Sequence, residues 1–227
     1  MSNTLAGERA LLNTADELVA AVNQNGQRLG AKGRRTRQRL IDVTIDLLET
    51  RGLRDLTVAE VARTAETSAA TFYVYFEGVT EVVLAALDHA DLNQPELMAL
   101  LDEDWCTERG LGLARDFVQL YCQIWAVNRT VFRVRNLAAE EGDPRFLAAR
   151  IRCAEPIMRA LATRVEAAQR AGKVTASLHA VSTAGAIMTL LERLAAVGPM
   201  TRRENGLTFE TLIDSSAHMI AHVLGAA

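Results

Sequence analysis

Apolar residues return every three to four positions along most of this chain, the period of helices with one buried face. In "RRTRQRLIDVTIDLLETRG" (34–52), Leu40, Val43, Leu47 and Leu48 form the inward stripe, with Ile41 and Ile45 beside it and Gly52 as the stop. "DLTVAEVARTA" (55–65) opens a second helix, with Val58, Val61 and Ala62 facing inward. Thr57 and Glu60 have the spacing of a capping box, each side chain bonding the other's free backbone N–H. Ser68 caps a third short helix reaching about Tyr75, and only Ala65, Glu66 and Thr67 separate it from the second. Two short helices joined by such a turn have the layout of a helix-turn-helix. Val79, Val82, Val83, Ala86 and Leu87 pattern a fourth helix within 77–92.

The same period predicts six later helices, near 96–103, 108–128, 130–141, 144–171, 178–197 and 208–224, separated by Asn128, "GDP", "AGK" and "VGPMTRRENG". Ahead of everything, residues 4–24 align Leu11, Ala15, Leu18 and Val22, which predicts an extra amphipathic helix. The glycine-rich "NGQRLGAKG" after it reads as a flexible linker. The expectation is an all-α fold in three parts: an extension over 1–32, a helix-turn-helix domain over 33–90 and a larger helical domain over 91–227. It has about nine helices plus the extra N-terminal one.

Composition adds little to this, but charge distribution does. The chain carries a net −3, while the segment from Arg28 to Arg54 holds eight basic residues against three acidic ones, about +5, leaving about −8 elsewhere. A basic block beside an acidic body suits a surface that faces an anion; a solvated helix face is the plainer alternative. Cys106, Cys122 and Cys153 are far apart and form no CxxC pair, which suits buried thiols in a reducing cytoplasm. No run approaches the roughly 18 apolar residues of a membrane span. Glu8, Arg9, Asp16 and Glu17 interrupt any secretory h-region.

Catalytic chemistry finds no constellation. His218 and His222 stand at i, i+4 without a third ligand nearby in sequence, so no metal and no cofactor are expected. There is no G-x-S-x-G and no phosphate-binding glycine loop, and an enzyme is not expected.

The aromatic cluster in "TSAATFYVYF" (67–76) carries more. The chain is 5% aromatic, yet four rings fall within five positions. Phe72 and Phe76 share a helix face at i, i+4 and can pin the third helix to its neighbours. Tyr73 and Tyr75 point elsewhere, where phenols can reach phosphate oxygens or bases. Ala69, Ala70 and Val74 leave a low surface that can enter a DNA major groove and touch thymine methyls. The alternative is that all four rings are core.

At these residues the chain resembles the TetR-type transcriptional repressors. Their pattern matches at Thr57, Val58, Val61, Ala62, Ala65, Ser68, Thr71, Phe72, Tyr73, Tyr75 and Phe76, and the resemblance covers about residues 36–90. It implies that Thr57, Thr71 and Tyr75 lie at the DNA backbone, with Ser68 also among the DNA-binding residues, that Ala69, Ala70, Tyr73 and Val74 lie along base edges, and that Arg34, Arg35 and Arg37 follow phosphates or enter the minor groove. There are departures. Glu66 stands where the family has glycine, which implies strain if φ is positive there. Val79 replaces the usual phosphate-touching lysine, and Glu77 adds negative charge nearby.

The resemblance further implies a homodimer built on the last two helices, bound to a near-palindromic double-stranded operator and released by a small, mainly apolar effector. The fourth helix would act as the lever between domains. Candidate effector contacts are Trp105, Phe117, Tyr121, Trp125, Phe132, Leu137, Phe146, Ile157, Met158 and Met188, with Asn128, Asn136 and Glu140 as polar anchors. The rival reading is a helical ligand-binding and dimerisation protein with weak or lost sequence-specific DNA binding.

Overall fold

The computed structural model describes residues 23–24, 26–90, 92–200 and 206–226. Among them the regular structure is helical, in ten α-helices, and no strand is present. These are α1 Ala31–Leu48, α2 Val58–Thr64, α3 Ala69–Tyr75, α4 Val79–His89, α5 Pro95–Asp102, α6 Gly110–Val127, α7 Arg129–Glu140, α8 Pro144–Arg170, α9 Ala180–Val197 and α10 Phe209–Val223. The helix expected over 4–24 falls outside the described residues, save for Asn23 and Gln24, which are not helical. The chain divides into two compact units, one ending at Ala86 and one beginning at Leu87.

In the first unit, α1 starts at Ala31 rather than Arg34, because Gly30 leaves the extended backbone there. It ends at Leu48, short of Gly52. Gly52 has φ −80° and instead opens a 3-10 turn at Leu53–Asp55, its N–H donating to the Asp55 carboxylate at 3.3 Å. Leu40, Ile41, Thr44 and Leu48 are the buried face of α1, and the Thr44 hydroxyl is satisfied by donating to the Leu40 carbonyl at 2.7 Å. Val61 and Ala62 of α2, Phe72 of α3, Phe76 and the Val79, Val82 and Val83 side of α4 complete this core. Two short helices of seven residues each would not persist alone, so their stability comes from this packing.

In the second unit, α10 lies along α6, α9 lies along α8 and α6, and α8 lies along α7. The central layer is aromatic: Trp105, Phe117, Tyr121, Trp125, Phe132 and Phe146 are all buried. Arg115 of α6 pairs with Asp214 of α10 at 2.8 Å. A side chain at Gly110 could not be accommodated, since its Cβ would stand 2.2 Å from the Trp105 carbonyl oxygen. α8 starts on Asp143, whose carboxylate accepts from the Arg145 N–H at 2.9 Å, and Pro144 takes the first helical position, where no N–H is needed. Pro156 lies inside it and leaves the Arg152 carbonyl without its helical partner.

One sequence expectation needs amending. The stretch Ala180–Met200 is long and apolar enough, by length and composition, to cross a membrane. Its inward residues Ala184, Ile187, Met188, Leu191, Leu194 and Ala195 are buried in this unit.

Candidate nucleic-acid interface and effector groove

The aromatic cluster separates into two faces. Phe72 and Phe76 are buried, their rings 5.8 Å apart and tilted by 51°. On the other side, Tyr73 is 54% exposed and Val74 45%, and Ala69 and Ala70 are exposed as well. The result is a shallow surface of two methyls, an isopropyl group and one phenol, backed by two immobilised rings. Tyr75 is half-buried, and its hydroxyl is turned toward the start of α1, 3.6 Å from where a Cβ on Gly33 would sit.

Ser68 caps α3 by accepting from the Thr71 N–H at 3.0 Å, with the two hydroxyl oxygens 2.9 Å apart. Thr57 caps α2 by accepting from the Glu60 N–H at 3.2 Å. Only half of the expected capping box forms. The Glu60 carboxylate does not return to Thr57; it pairs with Arg51, and a full positive charge outcompetes a backbone amide.

The turn between α2 and α3 is a Schellman motif. The Thr67 N–H donates to the Ala62 carbonyl at 2.8 Å and the Glu66 N–H to the Arg63 carbonyl at 3.1 Å. That geometry places Glu66 at φ +54°, the left-handed conformation that glycine takes freely. The Glu66 carboxylate meets Arg39 of α1 at 2.7 Å. One cation of the basic block is thereby partly neutralised beside the recognition helix.

Of the arginines expected at DNA, Arg35 is exposed. Arg34 is half-buried and donates to the Leu29 carbonyl at 2.9 Å. Arg37 lies over the Phe76 ring, 5.0 Å from its centroid. Val79 is buried in the core of the unit, and the Glu77 N–H is held by the Glu81 carboxylate. Sequence reasoning missed Gln24, whose backbone N–H donates to the Val74 carbonyl at 3.0 Å at the end of α3. No local pattern marks that contact, because a main-chain donor makes it.

In the second unit a groove of about 640 Å³ runs between α8 and α9. Leu147, Ile151, Met158, Ala162, Val181 and Met188 supply apolar walls, and Arg150, Arg159, Glu155, Glu166 and Glu192 supply charge. Glu192 is the junction. Its Oε1 accepts from the fully buried Arg135 at 2.9 Å and its Oε2 from Arg150 at 2.9 Å. Arg135 also stacks on Phe132, 4.7 Å from the ring centroid, and its Nε donates to the Asn136 side-chain oxygen at 3.0 Å. Behind this network the Arg135 Nη1, the Tyr121 hydroxyl and the Trp125 indole N–H have no hydrogen-bond partner among the described residues. Burial first, and then the Glu192 charge, push the Tyr121 phenol well above its usual range. Burial pushes the Cys122 thiol up to about 12.

Of the expected effector contacts, Met158 and Met188 line this groove. Trp105, Phe117, Tyr121, Trp125, Phe132, Phe146 and Ile157 lie in the core instead, and Leu137 is 54% exposed. Asn128 caps the end of α6, its side-chain amide donating to the Ile124 carbonyl at 3.0 Å. Leu147, Ile151, Arg150 and Glu192 were not anticipated. For Leu147 and Ile151 the signal was present as a second apolar row on α8, at 147, 151, 154 and 158, beside the core row.

Cys122 is buried, as expected, whereas Cys106 and Cys153 are only half-buried. His218 and His222 lie exposed on α10, and among the described residues no three groups gather to hold a metal ion.

Two family descriptions match the sequence. Residues 40–86 match "Bacterial regulatory proteins, tetR family" and residues 97–209 match "Tetracyclin repressor-like, C-terminal domain". No curated protein sequence matches. Among solved structures, a candidate fatty acid metabolism regulator of Clostridium perfringens superposes with a TM-score of 0.60 at 15% identity, covering 83% of this chain and 98% of its own. The fatty acid degradation regulator FadR of Bacillus halodurans gives 0.58 at 12% identity, covering 86% and 97%. A candidate TetR-family regulator of Syntrophomonas wolfei gives 0.58 at 14%, covering 82% and 93%. At these identities the likeness is one of fold.

Proposed function

The chain belongs to the TetR family of DNA-binding transcriptional regulators, which are not enzymes, and from that premise we propose a ligand-responsive cytoplasmic repressor. It binds a near-palindromic operator as a homodimer and leaves it when a small amphipathic molecule binds. The observation that carries this is the divided helix α3, with Phe72 and Phe76 locked inside and Ala69, Ala70, Tyr73 and Val74 turned outward. Ser68, Thr71, Thr57 and Tyr75 supply hydroxyls for the DNA backbone, and Arg34, Arg35 and Arg37 supply positive charge. No side chain at 69, 70 or 74 offers a bidentate hydrogen bond, so DNA shape contributes much of the selectivity.

The dimer uses α9 and α10. Val181 and Met219 are exposed on them and Leu212 and Ile213 are half-exposed, an apolar surface that a second copy would cover. Two-fold pairing sets the recognition helices about one DNA turn, roughly 34 Å, apart.

The effector lies in the α8–α9 groove. Its apolar body runs along Leu147, Ile151, Met158 and Met188, and its polar end sits at Arg150, Glu192 and Arg135. The inner aromatic residues Tyr121, Trp125 and Phe132 are reached as that network opens. Two of the structural neighbours are described as fatty acid regulators; a lipophilic acid has the apolar length and single polar end that this groove would accept. A 100-fold loss of DNA affinity on effector binding requires only about 2.7 kcal/mol of coupling. The fourth helix, α4, is the element that transmits it.

The buried Val79 and the acidic Glu66 and Glu77 favour a second reading, in which specific DNA binding is weak. A titration with the duplex upstream of the protein's own gene separates the two, run with and without saturated acids of graded chain length. The regulator binds that duplex, releases it to some chain lengths, and loses binding when Ala70→Glu sets a carboxylate on the recognition face. A complex that no lipophilic acid or neutral analogue disturbs contradicts the proposed effector class, and binding that Ala70→Glu leaves intact contradicts the interface.

A further inference from the structure

Gln24 reaches across about fifty positions of sequence to the far end of the recognition helix. Its backbone N–H donates to the Val74 carbonyl at 3.0 Å. Its side-chain amide donates to the Tyr75 carbonyl at 3.3 Å and to the two Glu81 carboxylate oxygens at 3.0 and 2.9 Å. Val74 and Tyr75 close α3, and their carbonyls are among those a helix leaves open at its C-terminus. Glu81 sits in the first turn of α4 and also accepts from the Glu77 N–H. One residue thus ties the end of α3 to the start of α4.

The segment that carries Gln24 is itself held. The Asn23 N–H donates to the Gln27 carbonyl and the Gly26 N–H to the Asn23 carbonyl, both at 2.9 Å. The Asn23 side chain closes the same turn through two further bonds of 2.9 Å, its amide donating to the Gln27 side-chain oxygen and its oxygen accepting from the Gln27 backbone N–H. At its other end Leu29 packs against Gly33 so closely that a Cβ there would come within 3.2 Å of it. Residues 26–30, within the stretch expected to be a flexible linker, form a strap held at both ends.

We propose that Gln24 is a positioning residue for DNA recognition, a tether that holds the last turn of α3, and with it Tyr73 and Val74, in the orientation that meets base edges. A seven-residue helix has little stability of its own, so with Phe72 and Phe76 seating its inner side, the placement of its outer face depends further on how its two ends are held. Ser68 fixes the first end and Gln24 the second. The inference rests on the DNA-binding reading above.

The test uses full-length protein with two duplexes, one selected from genomic fragments by the wild type and a scrambled one of equal length. Gln24→Ala weakens binding to the selected duplex about tenfold and leaves the scrambled one unchanged, because the electrostatic contribution is untouched. Gln24→Glu weakens it further by facing Glu81 with a second carboxylate, and adding Glu81→Gln to Gln24→Glu restores a donor–acceptor pair and recovers affinity. Unchanged discrimination in Gln24→Ala overturns the proposal. Equal loss on both duplexes with a lowered Tm also overturns it, by reducing Gln24 to a fold-stabilising residue. If the wild type prefers no duplex, the regulatory reading fails separately. Amide exchange then decides the tether: faster exchange at Phe76 and Glu77 in Gln24→Ala supports it, and unchanged exchange refutes it.

Discussion

Glu66 sits where the fold asks for glycine. The Schellman turn requires a positive φ at this position, and Glu66 complies at +54°, a conformation that costs an ordinary residue roughly 1–2 kcal/mol. Its compensation is the ion pair with Arg39, between side chains 76% and 52% exposed, and such exposed pairs are worth about 0–1 kcal/mol. Glu66→Gly is therefore expected to raise the Tm of the protein, with a gain of up to about 1 kcal/mol. It should also tighten DNA binding most at low salt, since Arg39 regains its full charge beside the groove. Thermal melts and titrations at two ionic strengths check both, and a fall in Tm would show that the Arg39 pair outweighs the strain. This feature was legible in the sequence as a departure from a glycine position. The partner Arg39 was not, because it lies on a different helix and carries no local signal.

Short-range spacing made α2 and α3 readable, and the structure follows it closely. The hydroxyl caps at Thr57 and Ser68 and the i, i+4 pair of Phe72 and Phe76 are all local rules. Phe72→Ala removes the plug under α3 and is expected to cost about 3–5 kcal/mol. DNA binding should disappear while tryptophan emission is unchanged, because Trp105 and Trp125 both lie in the second unit. Intact DNA binding in that variant would mean that Phe76 suffices to seat the helix. At α8 the first turn depends on Asp143. Its hydrogen bond from the Arg145 side chain, above all, holds its carboxyl below the usual carboxylate range. A group depressed in this way stabilises the fold at neutral pH, and that contribution is lost as pH falls through its folded value. Asp143→Ala should accordingly lower stability by about 1 kcal/mol at pH 7 and progressively less in acid. Melts of both proteins across pH test this, and a deficit that stays constant into acid would contradict it. The groove between α8 and α9 was the least legible element. α8 carries two neighbouring apolar rows, and periodicity cannot tell which row faces the core and which lines an open groove.

At the scale of the whole molecule, two units with different chemistry share one chain. The first is a small helical body with a basic leading helix, a pinned recognition helix and a strap that fastens its far end. The second is a larger aromatic core with a charged and apolar groove on its flank and uncovered apolar positions on its last two helices. Sequence patterning conveyed the all-helical architecture and the division of α3 into a buried and an exposed face. It could not convey contacts made by main-chain donors across fifty residues, such as that of Gln24. The central claim is sequence-specific DNA binding by a two-fold dimer. Its most direct measurement is a footprinting titration against genomic fragments, including the segment upstream of the protein's own gene, at two salt concentrations. The account predicts nanomolar affinity and a protected near-palindrome whose half-sites lie about one DNA turn apart, with affinity that falls on adding salt but keeps its preferred fragment. Weak binding that vanishes at moderate salt, with no fragment preferred, would contradict it.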